Sequence, residues 1–570
     1  MVQSKQQPLD EVEAIKAESR SLRGGLHIGL EDDLSGAISE ADTKVIKFHG
    51  IYQQDDRDLR SERKKARLEP LYSYMLRARI PGGVLTAQQW IGLNDLAGRY
   101  ANGSIRLTTR QAVQFHGIFK ESLRPLVQGL DELFLDSMAA CGDVNRNVMC
   151  SPNPMLSALH QDVQQVAEDL SQQLLPESQA YREIWLEGRD SGTEGEVEAL
   201  YGPTYLPRKF KIAVAVPPIN DVDVHAHDIG FIAIEEGGRL LGFDVSVGGG
   251  LGMSHDTPDT HPRLGDVIGF CEASQAVSLA QAIVSIQRDF GNRHKRKRSR
   301  LKYTIEDHGL EWFRQELSWR FRQSLEAPRG YHFDNNGDRY GWVQGDNGQW
   351  HLTLFIENGR LKGEALEGLA RIAREYPGLE YRVSPNQNLI LSGASAQDKL
   401  DLDLLLDKYP ALKRHEQASP LRLNAMACVA FPTCPLAMAE AERYLPELLG
   451  KVEALQEKHD LSHQAMTLRM TGCPNGCARP YLAEIGLIGK GPGRYNLHLG
   501  AAFNGERLNR LYQENVDEAA LLETLDDLFS RYAKDREEQE GFSDYLIRAG
   551  IVAPVVHGKE VREYGSKAVS

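Results

Sequence analysis

No apolar run in this chain approaches the roughly 20 residues that span a bilayer, so a membrane-embedded function is not expected. The opening residues, Met1-Val2-Gln3-Ser4-Lys5-Gln6-Gln7, lack the apolar stretch of a secretory leader. The expected compartment is therefore the cytoplasm, where disulfides are rare. Cysteine is scarce, at seven in 570 residues. Positive charge is in deficit. The formal net charge of −14 argues against general nucleic-acid binding. What remains, 41% hydrophobic and 26% charged residues, is an ordinary globular composition. The length suggests about three or four domains.

The few cysteines are unevenly spread. Four fall in two close pairs, Cys428-x5-Cys434 beside Pro432 and Pro435, and Cys473-x3-Cys477 beside Gly472, Pro474 and Gly476. Four thiolates suit an iron–sulfur cube, one per iron, and Pro and Gly let the backbone leave regular structure around it. Structural zinc also takes four cysteines, but usually as C-x2-4-C pairs, which the x5 spacing fits poorly. Two disulfides would need an oxidising compartment. Buried free thiols are the third alternative, and for the scattered Cys141, Cys150 and Cys271 apolar packing is the expectation.

The chain also repeats itself. At an offset of 276, Ser104–Gln111 overlies Glu380–Gln387 without gaps, and Gly83, Gly92, Leu93, Ala97 and Gly117 overlie Gly359, Gly368, Leu369, Ala373 and Gly393. Each copy reads as strand, Gly turn, amphipathic helix, turn, strand. In the first copy the strand is expected over 75–80, the helix over 87–97, and short strands over 106–108 and 113–116. A weaker match sets Gly242–Gly249 over Arg494–Ala501 and Ile229–Ile232 over Ile485–Ile488. The order is A, B, A′, B′, which predicts an α+β (mixed α/β) fold of two halves about a pseudo-twofold axis, with one large central site. The paired cysteines occur only in the second half.

The Gly-rich segment Gly248-Gly249-Gly250-Leu251-Gly252 lacks the strand, spacing and helix of a dinucleotide loop. Hairpin turns are expected there and at Gly489–Gly493. With no nicotinamide or flavin site evident, electrons must come from a partner. Cations nevertheless concentrate locally, at Arg77 and Arg79, Arg106 and Arg110, Arg146, and Arg208-Lys209-Phe210-Lys211. Alternation over 76–80 and 209–212 suggests strands with these charges on one face. Singly, each is best read as a solvated face. Jointly they suit an anionic cofactor and substrate. A further basic run, Arg293-His294-Lys295-Arg296-Lys297-Arg298-Ser299-Arg300, lacks interleaved aromatics and reads as an exposed loop rather than a nucleic-acid site. Residues 24–35 and 54–66 read as a mobile or wrapping arm that could dock a partner.

The two Cys pairs, with His49–Asp55, Arg79-Ile80-Pro81-Gly82-Gly83, Asn145-Arg146-Asn147-Val148, Leu206–Lys211 and residues 426–442, resemble the sirohaem- and 4Fe–4S-dependent sulfite and nitrite reductases. Within that family they most resemble the haemoprotein subunits of assimilatory NADPH-linked sulfite reductases. The resemblance covers nearly the whole chain. It implies three domains plus an N-terminal arm: residues 1–74 as the arm, 75–138 with 341–414 as paired ferredoxin-like repeats, 139–340 as a first sirohaem and substrate domain, and 415–570 as the cluster domain. It implies that Cys428, Cys434, Cys473 and Cys477 hold the cluster, with Cys477 also the axial ligand of the sirohaem iron. It implies Arg77, Arg146, Lys209 and Lys211 at the substrate, and Arg106, Arg110, Gln114, His116, Arg208 and Asn475 along the sirohaem. The implied reaction is the six-electron reduction of sulfite to sulfide. The implied partner is a flavoprotein (alpha) subunit carrying FAD and FMN and using NADPH, with ferredoxin the alternative. Nitrite reduction to ammonia is the rival activity. Lys211 favours sulfite, because nitrite enzymes of the family often carry Asn there. Cys141 and Tyr52 are expected to approach the same pocket. An unmodified thiol is the favoured state of Cys141, and a thioether to Tyr52 the alternative.

Overall fold

A computed structural model of the chain describes residues 8–152, 158–190, 192 and 196–564. Among these residues the chain forms four five-stranded sheets. Two sheets come from copies A and A′, and they exchange a strand. Ser104–Leu107 pairs with Val113–Ile118 of its own copy and with Arg360–Lys362 of the other. Reciprocally, Glu380–Val383 pairs with Leu389–Ala394 and with Val84–Thr86. Each copy thus completes the other's sheet, which is what the pseudo-twofold arrangement requires. The helices that follow the exchanged strands, Ala87–Tyr100 and Glu364–Glu375, pack on each other. Thr86 caps the first of them through the Gln89 amide N–H, in a reciprocal capping box. Trp90 stacks on Tyr381 across the two copies, with ring centroids 5.1 Å apart. The turn before each exchanged strand needs a left-handed residue, and it is Gly82 in one copy and Asn358 in the other.

The remaining two sheets share one topology. In the first, Met149–Cys150, Ile212–Ala215 and Ile229–Glu236 run parallel, then Arg239–Val247 and Asp266–Glu272 turn antiparallel. In the second, Ala425–Ala427, Leu468–Thr471 and Ile485–Gly491 run parallel, then Arg494–Leu499 and Arg510–Val516 turn antiparallel. The B and B′ matches fall on equivalent strands. The cysteine pairs follow the first and second strands of the second sheet, where parallel strands end and the chain must cross over.

Several local expectations are corrected. The first strand of copy A is Tyr72–Arg77, and Arg79 lies beyond it, in an isolated bridge to Asp136. The strand expected over 209–212 begins only at Ile212. Phe210 instead makes an isolated parallel bridge to Asn145, so the two lysines flank a bridge rather than share a strand face. Gly489–Gly493 does form a hairpin, but Gly248–Gly252 does not. It opens a longer loop in which Gly250 bridges Arg263.

Nor is the N-terminal region a loose arm. Helix Glu11–Glu18 sends Lys16 into the interior, where it bonds Glu13 and the Leu206 carbonyl. Arg23 is buried against Glu183 and Glu196, and Ile51–Asp55 adds an edge strand to the first sheet. Buried charges stay only where they are paired, which fixes residues 10–55 to the body. Among the described residues no helix is long and apolar enough to cross a membrane.

Candidate functional site

The register of the first sheet puts the basic residues in one row. Arg77 lies opposite Gln114, Gln114 opposite Arg106, and Arg106 opposite Arg360 of the second copy. Residues opposite one another in neighbouring strands share a face, and His116, two residues after Gln114, joins them. With its amide oriented to accept, Gln114 takes a bond of 2.7 Å from Arg77 Nη2. Arg106 is clamped from behind by Glu442 at 2.8 Å and by the Ala427 carbonyl at 2.9 Å. His116 is buried beside Arg360, Arg106 and Arg77. Burial and these cations push its pKa well down, so the ring is neutral.

This row forms one wall of a cavity of about 580 Å³. All the residues expected at the site line it except Arg110 and Lys211, which are packed close behind. The opposite wall is the cysteine loops. Cys473 is buried, Cys428 and Cys434 are half-buried, Cys477 is exposed, and all seven cysteines are free thiols. The loops pack tightly. Gly472 accepts from the amides of Met438 and Ala439, and a Cβ at Gly472 would come within 2.6 Å of the Ala439 carbonyl oxygen. The Gly472 amide points at Cys428 Sγ, 3.3 Å away. Thr109, from the turn after Ser104–Leu107, donates to the Cys477 carbonyl at 3.0 Å, tying the sheet to the last cysteine. Arg57 donates to the Cys434 and Ala437 carbonyls and lies over the Phe431 ring, so the N-terminal segment covers the first loop.

The third wall carries Arg146, Arg208 and Lys209. Arg146 holds the Gly142 carbonyl, and its backbone amide bonds Phe210, which aligns the Arg146 loop with the Lys209 segment. Burial, then the neighbouring arginines, push the pKa values of Lys209 and Lys211 well below the usual lysine range. Tyr52 lines the cavity, as expected from the His49–Asp55 motif, and Lys47 and Gln387 line it without having been read from the sequence. Lys47 is brought to about 8 by burial and by nearby cations. Tyr52 touches both Cys141 and Arg146. Spacing gives no sign of Lys47 and Gln387, because they reach the cavity from separate turns.

The residues fit an anionic macrocycle and a thiolate-bound cluster. Among the described residues Arg77, Arg110, Arg146, Arg208, Lys209 and Lys211 have no carboxylate within ion-pair distance. Clustered buried cations without counter-charge are costly and call for an anion. Both ring nitrogens of His116, Arg110 Nε and Thr471 Oγ1 are buried without a hydrogen-bond partner, as expected of groups that meet a polar ligand. Burial, then mutual repulsion, raises the thiol pKa values of Cys428, Cys434 and Cys473, that of Cys473 to about 12. Thiols held up in this way become thiolates together only when bound to metal.

The chain matches two family models. One, described as the nitrite and sulphite reductase 4Fe-4S domain, matches residues 141–325. The other, the nitrite/sulfite reductase ferredoxin-like half domain, matches residues 68–133 and 342–409. Among similar curated proteins is the "Sulfite reductase [NADPH] hemoprotein beta-component" of Oceanobacillus iheyensis, 52% identical over 97% of this chain and 96% of that protein. Its namesake in Myxococcus xanthus is 52% identical over 96% of this chain and 97% of that protein. Among solved structures, the Mycobacterium tuberculosis NirA protein covers 98% of both chains with a TM-score of 0.77 at 24% identity, which shows a shared fold.

Proposed function

The chain belongs to the nitrite and sulfite reductase family, and from that premise we propose that it is the haemoprotein component of an assimilatory sulfite reductase. The reaction is the six-electron reduction of sulfite to sulfide. The observation that carries this reading is the meeting, on one cavity, of four thiols and four cations, Arg77, Arg146, Arg208 and Lys209, that form no ion pair among the described residues. The relatives' names supply sulfite as the substrate and NADPH as the distant reductant.

Cys428, Cys434, Cys473 and Cys477 would hold the 4Fe–4S cluster. Cys477, the exposed member of the four, would also reach the sirohaem iron. When bound, the two groups supply single electrons and an iron that takes the substrate's sulfur. The chain supplies the rest. Arg106, Arg110, Arg208, Gln114, His116 and Asn475 would hold the macrocycle, the arginines by bidentate bonds to its carboxylates. Arg77, Arg146, Lys209 and Lys211 would neutralise the oxyanion and stabilise departing oxygen. Lys209 and Lys211 would give the protons, since burial and the neighbouring cations loosen the hold of each ammonium on its proton and arginine is effectively never deprotonated.

The term "hemoprotein beta-component" supports a flavoprotein alpha partner over ferredoxin as the donor. Thiols that must stay reduced to accept a cluster suit the cytoplasm. The proposed division is an N-terminal segment (1–74), paired repeats (75–138 and 341–414) and two cofactor domains (139–340 and 415–570).

The test is an anaerobic steady-state assay of the purified holoprotein with reduced methyl viologen. Sulfide should form, with kcat/KM higher for sulfite than for nitrite. Ammonia formation from nitrite with the higher kcat/KM would overturn the assignment of substrate.

A further inference from the structure

The basic run 293–300 does not face solvent as a free patch. Arg293 pairs with Glu13, and Arg298 with Asp307. Two of its arginines reach the site, Arg296 lining the cavity and Arg300 lying behind it. Arg296 forms a bidentate pair with Asp143, at 2.8 and 3.1 Å, and also bonds the Pro207 carbonyl. Arg300 forms a second bidentate pair, with Asp228, at 3.2 and 2.8 Å. Asp228 is fully buried and Arg300 nearly so.

Asp228 is more than a counter-ion. Its Oδ2 also accepts the backbone amide of Lys211 at 2.9 Å. The chain returns the contact, because the Ile229 amide donates to the Lys211 carbonyl. Lys211 and Asp228 stand just before two adjacent parallel strands, Ile212–Ala215 and Ile229–Glu236. The carboxylate thus staples the two strand entrances together, and Arg300 holds the staple from the far side. Gly250 lets Arg300 lie close, since a Cβ there would be 3.0 Å from Nη2.

We infer that Arg300 and Asp228 are positioning residues for the proposed sulfite site, a buried pair that fixes the backbone of Lys211 and sets the balance of charge around its ammonium. Neither touches the cavity. The groups around Lys211 are Arg110 from the first sheet's turn, Lys209 and Arg146 from the neighbouring loops, His227 from the next strand's entrance, Arg300, and Asp228, whose carboxylate sits on the Lys211 backbone amide. Asp228 is the one carboxylate of this set. Removing it makes the surroundings more positive and disfavours the ammonium. Removing Arg300 leaves the carboxylate facing Lys211 and Arg110 without its partner, and favours the ammonium.

This inference rests on the proposed function for its purpose, but its test does not depend on turnover. Lys211 of the holoprotein is labelled with acetic anhydride across a pH series, and the labelled fraction is read by peptide mass spectrometry. Arg300→Gln should move the labelling midpoint up by about one pH unit, and Asp228→Asn should move it down by a similar amount. Arg300→Lys, which keeps the charge, should stay near the unsubstituted protein. Should Arg300→Gln fail to fold, Asp228→Asn and Arg300→Lys still give a signed pair. Unchanged midpoints, or shifts of one sign in Arg300→Gln and Asp228→Asn, overturn the inference. Absence of sulfite reduction by the unsubstituted protein would instead overturn the functional reading and leave the labelling result standing.

Discussion

Arg77 donates a hydrogen bond from Nη1 to the sulfur of Cys141, 3.0 Å away. The two come from different elements, the strand Tyr72–Arg77 and the loop that leads to Arg146. Cys141 also lies beside Tyr52, which in turn lies beside Arg146. A thiol and a phenol therefore couple two of the four cations assigned to the substrate. Cys141 is fully buried, as the expectation of apolar packing has it, but its neighbours are polar.

Cys141→Ala removes the acceptor that orients Arg77. Losing a hydrogen bond to a charged group costs about 1.5–3 kcal/mol, so kcat/KM for sulfite should fall by roughly tenfold or more. The cofactor absorption spectrum should be unchanged. Steady-state kinetics beside that spectrum check it, and an unaltered kcat/KM would show that Arg77 needs no such support.

The sequence made the duplication and the cysteine pairs readable, because both are patterns in residue number. The 276-residue offset carries straight into paired strands, and the cysteine pairs sit in short gaps marked by Pro432 and Pro435 in one and by Gly472, Pro474 and Gly476 in the other. The strand exchange was not readable, since nothing in a repeat says which copy its strand will pair with. The basic run was misread for a related reason. Asp143 lies 153 residues from Arg296, and Asp228 lies 72 residues from Arg300, so their neutralising partners are invisible in a local charge count. Glu442, which clamps Arg106 from 336 residues away, was missed in the same way. Alternation over 209–212 suggested a strand, but a single bridge between Phe210 and Asn145 took its place.

Asp143 gives the fold an acid-sensitive clamp. Burial alone would raise its pKa, but Arg296 at 2.8 Å and Lys16 at 3.7 Å overcome this and hold it at about 2, below the ordinary 3.8. A carboxyl depressed on folding contributes stability above its unfolded pKa and loses it as pH falls through the folded value. The contribution, on the order of 2 kcal/mol, should be present at neutral pH and lost between about pH 4 and pH 2. Asp143→Asn should lower the denaturation midpoint at pH 7 and weaken the acid dependence in that window. Parallel losses at pH 7 and pH 2 would contradict this.

Lys211 is assigned a part in the choice of oxyanion. Lys211→Asn should lower turnover of sulfite more than turnover of nitrite, because it removes a proton donor and a cation from the site while leaving Lys209. Kinetics on both substrates check this, and equal losses would assign Lys211 a general electrostatic role.

The cysteines separate by position. Cys271 lies in strand Asp266–Glu272, where burial raises its thiol to about 12, and Cys271→Ser should keep both cofactors and activity. Cys477→Ser should lose sulfite reduction outright. Iron and labile-sulfide content with a sulfite assay distinguish the two. A Cys477→Ser protein that reduces sulfite at the normal rate would mean that the sulfur of Cys477 is dispensable.

The central claim is that Cys477, on the cysteine-loop wall of the cation-lined cavity, would serve both the sirohaem iron and the cluster. Mössbauer spectroscopy of iron-57-enriched, oxidised holoprotein tests it most directly. A shared sulfur transmits exchange coupling, so the cluster irons, diamagnetic in isolation, should show magnetic splitting induced by the macrocycle iron. Cluster irons that give an unsplit diamagnetic signal beside an independent paramagnetic haem iron would contradict the account.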